Sequence, residues 1–533
     1  MQTLSISEVI ARMQALVPPG APEPDNPQIL EQLSDLTQAL IRAYQVAGRL
    51  QADPFGEAQA RQLFLYETEV RQQLADQVVL VTGGEGCVGS HLIERLLDLG
   101  VKRIVSVDKA RCGQGEAQPK PGQHPAVSFY AADLRHYDEV QQIFAIEQPA
   151  IVFHLAAQRL PGLAEKQIRE TVTSNIFGTQ NIIRLCEEFG VRQCVFSSTG
   201  KASRYYTAEV YAASKKVCEW LFAQAALAGK VRYGMVRFTH MLDNSSMCQQ
   251  IEEKLAQGKP VNIHAPDRYV AGQNVREAAH LLLNALAFSE MGLLKFLLVR
   301  NLGWPTESLE VALYKIMQSG STLPIYFQGV QPGYEESFFL GQVDWDDQLE
   351  INTLINALET SFHSEISSSG DMIVAETVPF AISTLNNYLE ALKQLSDNPV
   401  VAEPLLKLKL AETIREVSSS CFWAAEPEKT LRILRWGINP KHVQQGNLKL
   451  ADHRDVIEIL VRSLARRSIG EVLQTGQVSL SDFAELLTVL EELPSIQVEV
   501  ALLREATGCQ SPTLLARGEV LRTAEAECVV ISA

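Results

Sequence analysis

The spacing of apolar and polar positions divides this chain of 533 residues into three regions. Over residues 76–360, short apolar runs alternate with segments of helical periodicity such as HLIERLLDLG and GTQNIIRLCEEFG. The predicted strands are VVLV (78–81), RIVSVD (103–108), AVSFYAAD (126–133), AIVFHLAA (150–157), QCVFSS (193–198) and VRYGMVRF (231–238). Strands that alternate with helices pair in parallel through crossover helices, so the pattern predicts an α/β fold with a doubly wound parallel sheet.

Both flanking regions carry helical patterns without strands between them. Near the start, Ser5 and Glu8 have the spacing of a capping box, which predicts the beginning of a helix. Towards the end, segments such as VIEILVRSLARRS and FAELLTVLEEL are amphipathic helix patterns. The stretch SSSGD is typical of a linker. We therefore expect a helical N-terminal region (1–75), an α/β domain (76–360), a linker (361–378) and a helical C-terminal domain (379–533).

Composition and charge exclude several classes of protein. The chain has 47 Lys and Arg against 63 Asp and Glu, a net charge of −16, which disfavours binding to nucleic acid or to an anionic membrane surface. It contains no apolar run of about 18 residues, so we predict no transmembrane helix, and its N-terminus lacks the apolar core of a signal peptide. The nine cysteines form no CxxC pair, which favours free thiols in a reducing cytoplasm over disulfides or a metal site.

The sequence TGGEGCVG (82–89) has the TGxxGxxG form and lies between a predicted strand and a predicted helix. In that context Gly83 allows a tight turn, Gly86 allows the close approach of a pyrophosphate, and Gly89 allows close packing of helix on sheet. The helix N-terminus supplies backbone N–H groups to the phosphates, which lets an acidic protein hold an anionic cofactor. The motif predicts a Rossmann-like dinucleotide site.

The next predicted strand ends at Asp108, whose carboxylate is placed to accept hydrogen bonds from the adenosine ribose. A carboxylate repels a 2′-phosphate, so Asp108 favours NAD. Lys109 and Arg111 follow directly and are able to pair with such a phosphate, which leaves NADP open.

The sequence YAASK (211–215) places a tyrosine and a lysine four residues apart on a predicted helix, so both side chains lie on one face. A neighbouring cation favours the phenolate, so Lys215 together with an oxidised nicotinamide ring would let Tyr211 act as a base near neutral pH. The preceding strand ends in Ser197, Ser198 and Thr199, whose hydroxyl groups are able to bind a substrate alcohol.

These motifs and several others occur along the chain in one order. They are TGxxGxxG, Asp108, ADL (132–134), HLAA (154–157), NIFG (175–178), STGKA (198–202), YxxxK, VRF (236–238), GKPV (258–261), HAPDRY (264–269) and VQPGYEE (330–336). Over about residues 76–345 the sequence resembles an extended short-chain dehydrogenase/reductase, and in particular the polysaccharide-biosynthesis branch of nucleotide-sugar dehydratases and epimerases. The resemblance implies a small substrate-binding subdomain at about 239–345.

The resemblance also implies roles by position. Thr199 would bind the reacting hydroxyl, Tyr211 would take its proton, and Lys215 would hold the nicotinamide ribose. The implied cofactor contacts are Gly83, Glu85, Gly86, Cys87, Val88, Gly89, Asp108, Lys109, Asp133, Leu134, Ala156, Ala157, Asn175, Tyr211 and Lys215. The implied substrate contacts are Ser198, Thr199, His240, Arg268 and Gln331, with His240 open to a second interpretation as a packed histidine.

The chain departs from the family pattern at the reacting end. Dehydratases of this branch carry an Asp where this chain has Gly200, and a missing general acid typically costs about 10²–10⁴-fold in rate. Lys201 remains as a candidate acid or base, whereas Glu209 is expected to be a solvated residue at a helix start. The usual Gly-Asn pair is Thr239-His240 here, and Gln331 replaces an Arg, so the substrate is less defined than the cofactor.

The resemblance thus implies an NAD(P)-dependent enzyme that acts on a nucleotide sugar through a 4-keto intermediate, by dehydration or epimerisation. Two alternatives stay open: oxidation or reduction of a non-sugar alcohol or ketone, and a cofactor-binding scaffold whose helical ends recruit a partner. We expect a cytoplasmic homo-oligomer, with the helical C-terminal domain as a candidate surface for a protein partner.

Overall fold

A nine-stranded sheet forms the centre of the protein. The computed structural model describes residues 5–109, 124–303, 305–345, 351–445, 448–467 and 479–508. The strands in chain order are β1 Val78–Thr82, β2 Arg103–Asp108, β3 Val127–Ala131, β4 Ile151–His154, β5 Gln193–Thr199, β6 Arg232–Phe238, β7 His240–Met241, β8 Val261–Ile263, β9 Tyr269–Val270, β10 Gly272–Gln273, β11 Lys295–Val299, β12 Thr306–Glu307, β13 Ile325–Phe327, β14 Ser364–Ile366 and β15 Met372–Glu376.

The order of strands in the main sheet is β14-β15-β11-β6-β5-β4-β1-β2-β3. The seven strands from β11 to β3 are parallel, and β15 and β14 add an antiparallel edge. Since β1 lies between β2 and β4, the chain reverses direction across the sheet at the β1–β4 boundary. Ligands of doubly wound sheets bind at such a switch point, outside the carboxyl ends of the strands.

The helices cover both faces of the sheet and form two further apolar cores beside it. They are α1 Ile6–Leu16, α2 Pro27–Val46, α3 Gly56–Ala60, α4 Glu67–Leu74, α5 Cys87–Asp98, α6 Tyr137–Glu147, α7 Pro161–Lys166, α8 Ile168–Thr171, α9 Gly178–Glu188, α10 Val210–Leu227, α11 Ser246–Ala256, α12 Val275–Phe288, α13 Ser308–Ser319, α14 Ala357–Phe362, α15 Ile382–Asp397, α16 Glu403–Ala424, α17 Pro427–Gly437, α18 Pro440–Gln444, α19 Arg454–Ala465, α20 Leu480–Leu490 and α21 Gln497–Thr507. Within the part of the chain that the structure describes, none of them is both long and apolar enough to cross a bilayer.

Alternation along β1 shows how the two faces are built. Val79 and Val81 pack into the core formed with α4, α5 and α12, whereas Leu80 packs into the core formed with α6, α9 and α10. Side chains of a strand alternate between faces, so a continuous apolar run such as VVLV serves both cores. The six strands predicted from such runs are confirmed, and β11, β14 and β15 were missed.

A smaller subdomain stands beside the carboxyl edge of the sheet. It contains three two-stranded pairings, β7 with β10, β8 with β13 and β9 with β12. The N-terminal helices α1 and α2 share its apolar core with α13 and β13. The capping box predicted at the start of α1 is confirmed, because Ser5 Oγ accepts from the Glu8 N–H and Glu8 Oε2 accepts from the Ser5 N–H.

The linker predicted over 361–378 is wrong. This segment forms β14 and β15, and β15 pairs with β11 as part of the main sheet. The following helices α15 and α16 contribute Leu389, Leu392 and Leu410 to the same core as α10. The predicted C-terminal domain is therefore helical in its described residues, but its first two helices pack directly on the α/β core.

Candidate active site

A deep cleft opens at the carboxyl ends of the parallel strands, between the glycine loop (83–89) and the smaller subdomain. Its volume is about 2110 Å³. Small-molecule sites usually occupy about 300–1,000 Å³, so this cleft has room for two ligands side by side. One end is lined by the glycine loop, the middle by β5 and the start of α10, and the far end by the subdomain.

Two glycines of the glycine loop have no space for a side chain. The φ angle of Gly83 is 75°, and a Cβ atom there would lie 2.8 Å from the backbone nitrogen of Ala156. A Cβ atom on Gly89 would lie 2.2 Å from the carbonyl oxygen of Gly83. Gly86 precedes α5 without a side-chain cap, so the first N–H groups of that helix remain available to a ligand. The predicted loop residues Gly83, Gly86, Cys87, Val88 and Gly89 all line the cleft.

Asp108 lies at the carboxyl end of β2, where the sequence predicts it. Its Oδ2 atom accepts a hydrogen bond of 3.0 Å from the backbone N–H of Glu85. The carboxylate therefore fixes the middle of the glycine loop, a contact that the motif did not predict.

The charges beside Asp108 form a compact group. Lys109 forms ion pairs with Glu170 and, at 3.6 Å, with Asp133. Although burial opposes the effect, hydrogen bonds from Arg135 and its charge lower the pKa of Asp133 to about 2. Lys109 thus faces two carboxylates, an arrangement that competes with any 2′-phosphate. Arg111, the other candidate for that role, lies outside the described residues.

The reacting end of the cleft contains Thr199, Tyr211 and Lys215. The side chain of Thr199 is close enough to Tyr211 to favour a lower pKa of the phenol. Lys215 Nζ donates to the carbonyl oxygen of Ser197 at 2.7 Å and lies 4.4 Å from the centroid of the Phe196 ring. The predicted proton-transfer group is therefore assembled at one place.

Burial dominates the electrostatics of this group in the protein alone. Burial raises the pKa of Tyr211 to about 12, against the opposing effects of Thr199 and the charge of Arg159. Burial lowers the pKa of Lys215 to about 8. The protein alone therefore favours the neutral phenol, and the lowered pKa predicted for Tyr211 beside both Lys215 and an oxidised nicotinamide stays a prediction.

Asn175 supports this group from behind. It lies in a π-helical turn, Val172–Phe177, and its Oδ1 accepts from the backbone N–H of Gln158 at 2.7 Å. Its Nδ2 donates to Ser214 Oγ at 2.9 Å, and Ser214 Oγ donates to the carbonyl oxygen of Tyr211 at 2.8 Å. Single π-helical turns occur often at functional sites. Here the turn connects the loop after β4 to the first turn of α10.

Lys201 and Glu209 form a partly buried ion pair at the cleft. Lys201 Nζ lies 2.6 Å from Glu209 Oε2 and donates to the carbonyl oxygen of Gly333 at 2.7 Å. Only 3% of Glu209 is exposed, so its prediction as a solvated residue is wrong. Arg204 and Glu336 complete the cluster, which balances two cations with two carboxylates. Burial lowers the pKa of Lys201 against the effect of Glu209.

Leu354 occupies the space beside Gly200. A Cβ atom on Gly200 would lie 2.2 Å from Leu354 Cδ2. Leu354 is 2% exposed, and its carbonyl oxygen accepts from Arg237 Nη1 at 2.9 Å, which fixes its backbone. The side chain that dehydratases of this branch carry at this position therefore does not fit here unless Leu354 moves.

The five predicted substrate residues, Ser198, Thr199, His240, Arg268 and Gln331, line the cleft. Arg268 Nε is buried without a hydrogen-bond partner among the described residues, and its nearest carboxylate, on Asp267, is 3.9 Å away. The Arg268 side chain is 31% exposed in the cleft, and a guanidinium there fits an anionic ligand. His240 Nε2 shares a hydrogen bond of 2.7 Å with Ser245 Oγ, and burial lowers its pKa.

The sequence motifs did not predict two further charged residues that line the cleft. Arg159 follows β4 and is close enough for its charge to oppose the raised pKa of Tyr211. Its place directly after the HLAA motif was a usable signal. Glu23 reaches the cleft from the N-terminal region and forms an ion pair of 2.6 Å with Lys254. No local signal predicts Glu23, because it is brought there by the packing of α1 and α2.

A glycine-rich turn at the switch point of a doubly wound sheet, with a Tyr–Lys pair on a neighbouring helix, defines a dinucleotide-binding oxidoreductase fold. Residues 79–344 match the family of polysaccharide biosynthesis proteins. The chain is 26% identical over 280 residues to the probable polysaccharide biosynthesis protein EpsC of Bacillus subtilis, which covers 50% of this chain and 46% of that protein. The chain therefore belongs to the polysaccharide-biosynthesis branch of the extended short-chain dehydrogenases/reductases, as the motifs predicted.

Two further similarities bear on the extent of the match. The UDP-N-acetylglucosamine 4,6-dehydratase (inverting) of Campylobacter jejuni is 28% identical over 181 residues, which is 33% of this chain and 53% of that protein. The structure of Thermus thermophilus UDP-glucose 4-epimerase in complex with NAD matches 48% of this chain and 88% of that chain, with 23% identity and a TM-score of 0.42. The chain thus spans about half the length of the two curated relatives.

Proposed function

We propose that this protein is an NAD(P)-dependent enzyme that oxidises the C4 hydroxyl of a nucleotide sugar and reduces the resulting ketone, giving the C4 epimer without loss of the C6 hydroxyl. One observation carries the proposal. The Thr199–Tyr211 pair and Lys215 are assembled in the cleft, while Leu354 fills the place where a dehydratase acid would stand. The chain therefore keeps the groups for alcohol oxidation and lacks the space for the acid that elimination requires.

The glycine loop fits the pyrophosphate of a dinucleotide. The missing Cβ atoms of Gly83 and Gly89 and the uncapped N-terminus of α5 form a cradle of backbone N–H groups. We assign Asp108, at the end of β2, to the adenosine ribose and Lys215 to the nicotinamide ribose. When bound, a nicotinamide supplies reversible two-electron oxidation of an alcohol to a ketone. The carboxylates around Lys109 favour NAD over NADP.

Two side chains at the reacting end have separate roles in proton transfer. Thr199 holds the substrate hydroxyl by a hydrogen bond, and Tyr211 takes the proton of that hydroxyl during oxidation. The same phenol returns the proton to the carbonyl oxygen during reduction. Because burial raises the pKa of Tyr211, the phenol is protonated at neutral pH in the protein alone, and a bound cation is needed to favour the phenolate that takes the substrate proton.

The far end of the cleft fits the nucleoside diphosphate. Arg268, whose side chain lines the cleft and is 31% exposed, supplies positive charge for the diphosphate. The name of the Campylobacter relative supports a UDP-sugar as the substrate class. The reacting sugar would then lie between Arg268 and Tyr211.

The test is conversion of UDP-glucose, UDP-N-acetylglucosamine, UDP-glucuronic acid and dTDP-glucose with NAD⁺ in D₂O, followed by NMR and mass spectrometry. We expect a C4 epimer of unchanged composition and no deuterium at C5. A product that has lost one water and carries deuterium at C5 would show dehydration and overturn the proposal, since elimination exchanges the C5 proton. Failure to bind NAD(P) and to convert any of the four sugars would overturn it as well.

A further inference from the structure

The helix that bears Tyr211 and Lys215 is enclosed on nearly all sides. In α10, 15 of 18 residues are buried. One face packs on β5 and β6, and the other packs on α16 of the C-terminal region. Val217 and Leu221 of α10 belong to the same apolar core as Leu410 and Ile414 of α16. A helix with two apolar faces is stable only when both are covered, so α10 depends on the C-terminal region for its outer face.

A polar chain connects the same two elements. Lys407 Nζ on α16 forms an ion pair of 2.6 Å with Glu165 Oε2. The other oxygen, Glu165 Oε1, accepts a hydrogen bond of 2.7 Å from the backbone N–H of Val210. Only 6% of the Glu165 side chain is exposed. The carboxylate thus caps the first residue of α10, directly before Tyr211, at the helix end where negative charge is favourable.

The C-terminal region also holds the segment that leads to Asn175. Arg169 in α8 donates to three carbonyl groups around the end of α15, those of Leu395, Ser396 and Val401. The backbone N–H of Ile168, at the start of α8, donates to Glu403 Oε2 at 2.9 Å. The π-helical turn with Asn175 follows directly, and Asn175 binds Ser214 of α10. Both supports of the first turn of α10 are therefore anchored on α15 and α16.

We propose that α15 and α16 clamp the first turn of α10, and that Glu165 and Lys407 are the positioning residues through which this clamp fixes Tyr211. The family match ends at residue 344, so Lys407 lies in a part of the chain that is additional to the shared module. Without Lys407, the Glu165 carboxylate, whose side chain is 6% exposed, is left without its cation and is expected to move towards water. This movement loosens the cap on Val210 and lets Tyr211 move. The kinetic part of the test rests on the proposed function.

The experiment compares full-length Lys407→Met with Lys409→Met as the matched control. Lys409 lies on the same helix, but its carboxylate partner is Glu412, within α16. Hydrogen–deuterium exchange is measured on the peptide that covers 208–216. We expect Lys407→Met to raise the exchange rate of this peptide at least tenfold and Lys409→Met to leave it unchanged. Glu165→Gln should raise it as well, and the double variant should add little, because both changes break one chain of contacts.

Turnover provides the second readout. A displacement of Tyr211 below 1 Å acts on the chemical step, so kcat should fall by about tenfold with KM for the nucleotide sugar and cofactor affinity unchanged. Lys407→Arg, which keeps the cation, should restore both kcat and slow exchange. Equal exchange in Lys407→Met and Lys409→Met would overturn the clamp. If the wild-type protein converts no nucleotide sugar, the proposed function fails, while the exchange comparison and the Lys407→Arg rescue still decide whether the clamp exists.

Discussion

The two ends of the cleft are built in different ways. The cofactor end consists mainly of backbone: a strand, a glycine loop and a helix N-terminus that follow one another within residues 78–98. The reacting end is assembled from side chains of distant segments, since Arg159, Thr199, Tyr211 and Leu354 meet there. Backbone N–H groups of one contiguous segment bind the same class of ligand even when the surrounding side chains change. A site built from side chains of distant segments acquires a different chemistry when one of those segments changes.

The largest expected effect comes from removing the phenol at the reacting end. Tyr211→Phe should lower turnover by about 10²–10⁴-fold, because a positioned acid–base group contributes that much. Cofactor binding should remain, because the glycine loop is untouched. Steady-state kinetics and a fluorescence titration with NAD⁺ measure the two effects. Tyr130→Phe is the control, because the Tyr130 hydroxyl donates to Glu147 away from the cleft. Retained turnover in Tyr211→Phe would contradict the assignment of the base.

The cofactor end is tested by Gly89→Ala. The added methyl group meets a backbone oxygen at 2.2 Å, which no side-chain rotation relieves. Such overpacking costs about 1–3 kcal/mol, so NAD⁺ affinity should fall by about tenfold to a hundredfold in isothermal titration calorimetry. In Gly56→Ala the nearest atom would be 3.7 Å away, and affinity should not change. Equal affinity in the two variants would remove the glycine loop from the cofactor site.

Replacement of Arg268 is expected to weaken substrate binding without affecting the chemical step. Arg268→Leu removes a charged hydrogen-bond donor worth about 1.5–3 kcal/mol, so KM for the nucleotide sugar should rise by about tenfold or more with little change in kcat. Arg276→Leu is the control, because Arg276 donates to the carbonyl oxygen of Gln59 and does not line the cleft. A fall in kcat at constant KM would place Arg268 at the chemical step instead.

The space beside Gly200 is tested by a double-mutant cycle. Gly200→Asp should destabilise the protein by about 1–3 kcal/mol, because its Cβ atom meets Leu354. In the background of Leu354→Ala the same change should cost less, with a coupling energy of about 0.5–3 kcal/mol between the two positions. Urea denaturation of the four proteins measures the coupling. Independent effects of the two substitutions would show that Leu354 does not exclude the acid.

The smallest expected effect is a pH dependence of the free energy of unfolding, caused by the buried lysine at the reacting end. Burial lowers the pKa of Lys215 to about 8, whereas a lysine in an unfolded chain titrates near about 10.4. Between these values the unfolded chain binds the extra proton, so the contribution of Lys215 to the free energy of unfolding rises with pH and is flat below about 8.

Denaturation of the wild type and of Lys215→Met at pH 7.5 and pH 10 measures this contribution. The wild type should gain stability relative to Lys215→Met at the higher pH. Lys259→Met, which removes an exposed lysine, should show no such difference. A relative loss of stability in the wild type at pH 10 would reverse the sign and contradict the burial argument.

Much of the fold was predictable because its signals are local. The six apolar runs became strands with bounds within three residues of those predicted, and the TGxxGxxG turn and YxxxK helix occupy the predicted places. The strands β14 and β15 were missed because SSSGD is typical of a linker, whereas its Ser and Gly residues form the turn between two edge strands. Turns and linkers are rich in the same polar residues, so the sequence does not distinguish one from the other. Only the pairing of β15 with β11 shows that this segment is a turn.

The polar residues at the reacting end were the least predictable. Glu209 resembles an exposed helix cap in sequence, yet Arg204, Lys201 and Glu336 enclose it. Glu336 lies 127 residues further along the chain. The raised pKa of Tyr211 in the protein alone was not predicted, for a related reason. The i, i+4 spacing reports the nearby lysine, but the amount of water removed from the phenol depends on every segment packed around it.

The sequence by itself determined the parallel sheet, the glycine loop, Asp108 and the Tyr211–Lys215 pair, because each depends on residues that are neighbours along the chain. Only the tertiary structure decided that Leu354 stands beside Gly200 and that Lys407 reaches Glu165. The reason is physical: backbone conformation follows from local sterics and hydrogen bonding, whereas the burial and pairing of a side chain depend on which remote segments the fold brings against it.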